Sequence, residues 1–301
     1  MLGTSNYLEE EIKRLDGISK SWEHTTFQEN QFKHYSNTKI KSMLMLQGSN
    51  QILRYQSDSH FTITENFDSR TQWPQCQQVI RDQQGCESAW AFAISDVFSD
   101  RVCIERSITN FTGSVQQLIS CDYSNQGCKS GNELKAFYYI TQNGLVSETC
   151  YPYINGNGGE YYCELDTVNE CKTRYFGKNI KSFNNIEKII KEVKVFGPVA
   201  SELIVYADFM AYKSGIYVPT STEKLGVHAV KIVGYGNQGG IDYWTVANSW
   251  GSSWGEEGYF RIKMGTNCSI ESQVVSIQAK YCCRSDTADF AVLLLLVILF
   301  L

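Results

Sequence analysis

Apolar positions along the second third of the chain recur at helical spacing. Trp90, Phe92, Ala93, Val97, Phe98 and Val102 make a stripe uninterrupted by Gly or Pro, which predicts a helix over residues 88–103. Residues 114–120 and 133–142 read the same way, the second stopped by Asn143-Gly144. A further helix over 185–195 ends at Gly197-Pro198. From there the pattern shortens to strands at 199–205, 215–218, 228–235, 243–248 and 259–263, with Asn237-Gln-Gly-Gly240 among the turns. Helices first and strands afterwards predict an α+β fold, with two subdomains meeting at a cleft. Upstream, residues 1–62 carry helical spacing at Tyr7-Leu8, Ile12, Leu15 and Ile18, and again at Ile40, Met43 and Leu44.

Composition narrows the class. A net charge of −5 offers no basic excess to displace phosphate counterions, which argues against a nucleic-acid partner. Eleven cysteines are present, none before Cys76, and eight fall between Cys76 and Cys171. That density suits a disulfide framework made in an oxidising compartment. Zinc is the competing reading, but the window has no Cys-x-x-Cys pair and no His, so no metal is expected. The odd count leaves at least one thiol free or paired outside the chain.

The two ends fit that compartment unevenly. Residues 1–20 hold no apolar run of signal-peptide length, and three glutamates stand at 9–11, so the expectation is a missing upstream exon. At the other end, residues 290–301 (FAVLLLLVILFL) are wholly apolar. Twelve helical residues reach about 18 Å, short of a ~30 Å hydrocarbon core. Small residues before the run suit a lipid-anchor signal, and a misread splice site accounts for the run equally well. The chain thus divides into 1–62, a dense unit over 63–283, and a tail over 284–301.

Within that unit, FDSRTQWPQC (67–76), RDQQGCESAWAF (81–92), GCKSG (127–131), GVHAVKIVGYG (226–236) and YWTVANSWGSSWGEEGYFRI (243–262) follow one another. In these runs the sequence resembles the papain family of cysteine proteases, in its cathepsin B-like branch. Ser21-Trp22 and Leu46-Gln47-Gly48 are similar to pro-segment positions of that branch, making 1–62 a pro-region-like segment. The resemblance implies a papain-like fold, no cofactor, and a monomer of the lysosome, vacuole or extracellular space. Family chemistry uses a thiolate at a helix N-terminus, an imidazole as base and acid, an amide orienting that ring, and a glutamine binding the oxyanion. By motif position Gln83 matches the oxyanion glutamine, His228 the imidazole and Asn248 the orienting amide. Trp250 matches the indole that shields that pair. The resemblance also implies bridges Cys76–Cys103, Cys86–Cys128, Cys121–Cys163 and Cys150–Cys171, leaving Cys268, Cys282 and Cys283.

The nucleophile departs from the pattern. Where the family reads Gly-Ser-Cys-Trp-Ala-Phe, this chain reads Glu87-Ser88-Ala89-Trp90-Ala91-Phe92, so Ala89 stands at the cysteine position. A methyl group cannot attack a carbonyl, and Cys86 and Ser88 cannot reach His228 without rebuilding the helix start. Glu87 replaces a glycine and brings negative charge to where an oxyanion would develop. Two such changes favour natural divergence over an engineered trap. The loop between Cys150 and Cys171 is short and lacks the histidines of the cathepsin B occluding loop. Gln273 replaces an acidic residue at the floor of the S2 pocket, and Lys129-Ser130 interrupt a wall whose Gly131 could pair with peptide backbone. The expectation is a binding protein for peptides or protein inhibitors in the cleft, the alternative an active endopeptidase using another thiol. Asn110 and Asn267 begin glycosylation triplets, and the tail is a possible membrane attachment.

Overall fold

The computed structural model describes residues 7–45, 63–159 and 162–280. Its helices are α1 (Tyr7–Asp16), α2 (Asn37–Lys41), α3 (Ser69–Gln72), α4 (Ala89–Arg106), α5 (Val115–Cys121), α6 (Glu133–Asn143), α7 (Leu165–Glu170) and α8 (Ile186–Phe196). The strands are β1 (Trp22–His24), β2 (Phe67–Asp68), β3 (Leu145–Val146), β4 (Arg174–Tyr175), β5 (Gly177–Phe183) and β6 (Val199–Tyr206). They continue with β7 (Tyr212–Tyr217), β8 (Lys224–Gln238), β9 (Ile241–Ala247), β10 (Tyr259–Lys263) and β11 (Val274–Ala279). The main sheet runs β1-β7-β10-β9-β8-β6-β11-β5, antiparallel except for β7 with β10, and β2 pairs with β8. This is the α+β, papain-like arrangement, with a helical half and a sheet half.

α4 starts one residue later than its apolar stripe predicts, because Ser88 is the N-cap, and it runs on to Arg106. Nearly its whole surface is buried, which explains why apolar residues extend around it beyond one stripe. Two buried ion pairs tie it to its neighbours. Lys231 of β8 meets Asp100 at 2.7 Å. Arg101 meets Glu192 of α8 at 3.0 Å and donates to the carbonyls of Pro198, Gly197 and Ile277.

Strand prediction needs correction in extent. β8 is 15 residues long where only 228–235 was expected, and β7 begins at Tyr212 rather than at 215. β5 and β11 were not anticipated: GKNIKSF is mostly polar, and β11 is buried on both faces, so neither alternates cleanly. The expected helix through Ile40, Met43 and Leu44 also fails. α2 stops at Lys41, a turn follows over residues 42–44, and Met45 then pairs with Val227 through two backbone hydrogen bonds of 2.8 Å.

The helical half is stapled. Bridges Cys76–Cys103, Cys86–Cys128, Cys121–Cys163 and Cys150–Cys171 are all closed. Cys268 is free and buried, while Cys282 and Cys283 lie outside the described residues, as do Leu46-Gln47-Gly48 and the apolar tail. Among the described residues no helix is long and apolar enough to cross a membrane.

The N-terminal segment packs on the sheet half. Leu8, Ile12 and Leu15, three of the expected stripe, are buried in its core, and α1 rests on the turn at Ala207–Ala211. Trp22 donates its indole N–H to the Val218 carbonyl at 3.0 Å, and β1 adds to the sheet edge at β7. From there the segment crosses Trp250, where Phe32 meets the indole edge-on at 5.5 Å, and enters the space between the two halves.

Candidate active site

His228 lies on β8, opposite Leu203 of β6, and is fully buried. Its Nε2 lies 2.7 Å from Oδ1 of Asn248, just past the end of β9. The same Oδ1 accepts the Ser249 backbone N–H at 2.8 Å, which fixes the amide and leaves its oxygen toward the ring. Trp250 is 1% exposed, with ring centroids 4.6 Å apart from the imidazole. Burial pushes the His228 pKa down to about 4 against the smaller upward pull of Asn248, so the ring is neutral at physiological pH. Its other nitrogen, Nδ1, has no hydrogen-bond partner among the described residues.

Gln83 is held in the facing loop. Its N–H donates to the Ser249 carbonyl at 2.9 Å, and its Oε1 accepts from Ser249 Oγ at 2.7 Å. Asp82 bridges to Trp250, and Gly251 N–H reaches the Arg81 carbonyl, so the two loops act as one support. The Gln83 amide nitrogen donates to Cys86 O at 2.8 Å and to Met43 O at 2.9 Å. One of the two acceptors on the Gln83 amide nitrogen is therefore a backbone carbonyl of the N-terminal segment.

Ala89 opens α4 and is 1% exposed. The helix has no side-chain cap: Ser88 Oγ instead lies 3.4 Å from Tyr153 OH. Tyr153 in turn donates to the Gln83 carbonyl at 2.7 Å. Glu87 is buried just ahead of the helix start, where partial positive charge favours a carboxylate. Cys86 is consumed in its bridge to Cys128.

Of the other residues singled out from sequence, Gly131 backs directly onto Trp90. A Cβ there would stand 2.2 Å from the indole, so glycine is required for the wall to close. Gln273 is half-buried and precedes β11, on the strand beyond β6. The short loop at Asn155–Asn157 rests against the Gln84–Gly85 turn, with Gly85 N–H donating to Gly156 O at 2.7 Å. Asn110 and Asn267 are both exposed. Sequence reading missed Ser249, Met43 and Met45. Ser249 could have been found from its place beside Asn248, whereas nothing in Met43-Leu44-Met45 marks a segment that lies across a site.

A helix start, an imidazole with its amide partner, a shielding indole and a glutamine joined to the same network define a papain-type catalytic frame. The sequence profile of the papain family of cysteine proteases matches residues 63–278, and the chain belongs to that family. Within it the chain is of the cathepsin B-like branch. It is 37% identical over 258 residues to cathepsin B-like cysteine proteinase 3 of Caenorhabditis elegans, covering 75% of this chain and 69% of that protein. It is 34% identical over 288 residues to cathepsin B of Dictyostelium discoideum, covering 88% of this chain and 92% of that protein. Procathepsin B S9 of Trypanosoma congolense superposes with a TM-score of 0.78 at 28% identity, over 92% of this chain and 98% of that one.

Proposed function

We propose that this chain is a cathepsin B-like homologue that has given up peptide hydrolysis and binds peptide segments in its cleft. The observation that carries the reading is Ala89 at the start of α4, beside an imidazole whose Nδ1 has no partner among the described residues. Acyl transfer in this frame needs a thiolate for that ring to activate, and a methyl group offers neither proton nor lone pair.

Other thiols do not replace it. Cys86 is disulfide-bonded, and Cys268 is buried among sheet-half residues with its thiol pushed by burial up to about 12. A peptide-binding role is supported by the cleft's occupant. Met43 presents its carbonyl to Gln83 while Met45 pairs with Val227, so residues 43–45 lie as a bound peptide would. Residues 1–62 are read as a pro-region-like segment that stays in place unless another protease removes it. The disulfides and exposed glycosylation triplets suit a lysosomal or extracellular location.

An active-site-directed thiol electrophile tests the reading. The purified chain should take up no label at the cleft, and Ala89→Cys should restore it, more fully with Glu87→Gly. Labelling of the unaltered chain that disappears on His228→Ala would overturn the proposal and favour an endopeptidase using another thiol.

A further inference from the structure

Outside the catalytic frame, two exposed aromatic rings meet at one cavity. Tyr123 is 81% exposed and Tyr162 is 91% exposed, and neither hydroxyl has a hydrogen-bond partner among the described residues. Both line a cavity of about 270 Å³ between the end of α5 and the loop that follows Ile154. One exposed tyrosine is ordinary on a protein surface, whereas two at the same cavity mark a place where something binds.

The cavity is held by covalent ties. Tyr123 follows Cys121 by two residues and Tyr162 precedes Cys163 by one, and these cysteines are bonded with Cα atoms 4.7 Å apart. Cys128, which also lines the cavity, is tied to Cys86. Buried Asn155 fixes the floor: its Oδ1 accepts from Gln116, and its Nδ2 donates to Gly159 O at 2.6 Å and to Cys128 Sγ at 3.3 Å. A cavity stapled in this way exists before its ligand arrives, which lowers the ordering cost of binding.

The polar groups set the ligand's chemistry. Asp122 is buried there, but its carboxylate already accepts from Ser124 N–H, Ser124 Oγ and Asn125 Nδ2 at 2.6–3.1 Å. Lys129 also lines the cavity, so no net charge is left for an ion to meet. What stays open is neutral. The Leu118 carbonyl of α5 is taken by Asp122 N–H, whereas those of Ile119 and Ser120 accept no bond among the described residues. Gln126 adds a side-chain amide and the tyrosines two hydroxyls. Carbonyls needing donors, beside flat apolar rings, suit a ligand with hydroxyls at its edge and C–H bonds on its faces. An aliphatic side chain would cover the rings and leave the carbonyls without donors, and a phosphate would bring acceptors to acceptors.

We propose that this cavity is a saccharide-binding site, taking a pyranose ring against Tyr123 and Tyr162 with its hydroxyls donating to the end of α5. A free glycoside and a glycan on a protein present that same chemistry. The site uses neither residue 89 nor the cleft, so it holds whatever the cleft binds and with the N-terminal segment in place.

Ligand-observed NMR titration of the full chain with the methyl glycosides of glucose, mannose, galactose and N-acetylglucosamine tests this. At least one should bind with a Kd on the order of 1 mM. Tyr123→Ala and Tyr162→Ala should each weaken it about tenfold, with the melting temperature unchanged because both rings are exposed. Tyr138→Ala, which removes a 53% exposed ring of α6 outside the cavity, should change nothing. Retention on immobilised ovalbumin that is lost once its glycans are enzymatically removed would identify a protein-linked glycan as the source, and glycoside binding without retention a free sugar. No binding to any glycoside or to ovalbumin, or binding that survives loss of both tyrosines, would overturn the proposal. Retention on deglycosylated ovalbumin with no glycoside bound would make the cavity a protein-docking site and overturn it too.

Discussion

The two walls of the cleft carry the same frame in different states of completeness. On the sheet wall, His228, Asn248, Ser249 and Trp250 hold one another through short, buried contacts, each side chain seated by its neighbour. On the helix wall, Gln83 is equally well held, yet the helix start beside it offers Ala89 and a buried Glu87. Packing and hydrogen bonding therefore do not depend on the nucleophile. In the reading proposed above, that geometry persists while the thiol sulfur at position 89 is what is missing.

The largest expected effect follows from restoring that atom. Ala89→Cys with Glu87→Gly, after removal of residues 1–62 by an added protease, should hydrolyse a fluorogenic peptide on the order of 10⁴-fold faster than the unaltered chain. Turnover no faster than the unaltered chain would mean that the sheet wall, despite its contacts, is no longer set for proton transfer.

Next in size is the strut between the walls. Lys231 and Asp100 are each about 4% exposed and meet at 2.7 Å, joining β8 to α4. Asp100→Ala leaves Lys231 buried without its counter-charge, and should cost about 3–5 kcal/mol in denaturant unfolding. Asp100→Ala in the background of Lys231→Met should cost less, since no orphaned charge remains.

The pH dependence separates the walls further. His228 is neutral in the fold with a pKa near 4, against 6.5 when unfolded. Between those values the unfolded chain binds the extra proton, so the stability present above pH 6.5 is lost as pH falls toward 4. The span corresponds to about 3 kcal/mol. His228→Gln should flatten that part of the curve when unfolding free energy is measured at pH 7 and pH 4. The helix wall adds no comparable term through Ala89.

How much of this could be read from the chain depends on what kind of signal each part leaves. α4, α6, α8 and β10 were legible because apolar spacing and Gly or Pro stops act locally. Gln83, His228 and Asn248 were found through motif runs, and the structure brings them into one network although 145 positions separate the first two. β5, β11 and the turn and bridge after Lys41 were not legible, because each is shaped by what it packs against. Met45 forms an isolated β-bridge with Val227, 182 positions away, and no local preference announces such a contact.

The smallest effect concerns how the N-terminal segment divides its hold between the walls. On the sheet wall it uses Trp22, β1, the paired bonds of Met45, and Gln31, whose amide donates to Trp250 O at 3.0 Å and accepts from Ser253 at 2.6 Å. On the helix wall the contact with Gln83 is a single bond from that amide to Met43 O. Gln31→Ala should therefore weaken docking by about 1 kcal/mol, because the Ser253 and Trp250 groups it leaves can turn to water. Limited proteolysis should cut within residues 37–45 about fivefold faster while the 63–280 unit resists as before, since an opening this local follows its own equilibrium. A faster cut in both parts would place Gln31 in the stability of the whole molecule, and would mean that the segment is as much a part of the fold as the walls it joins.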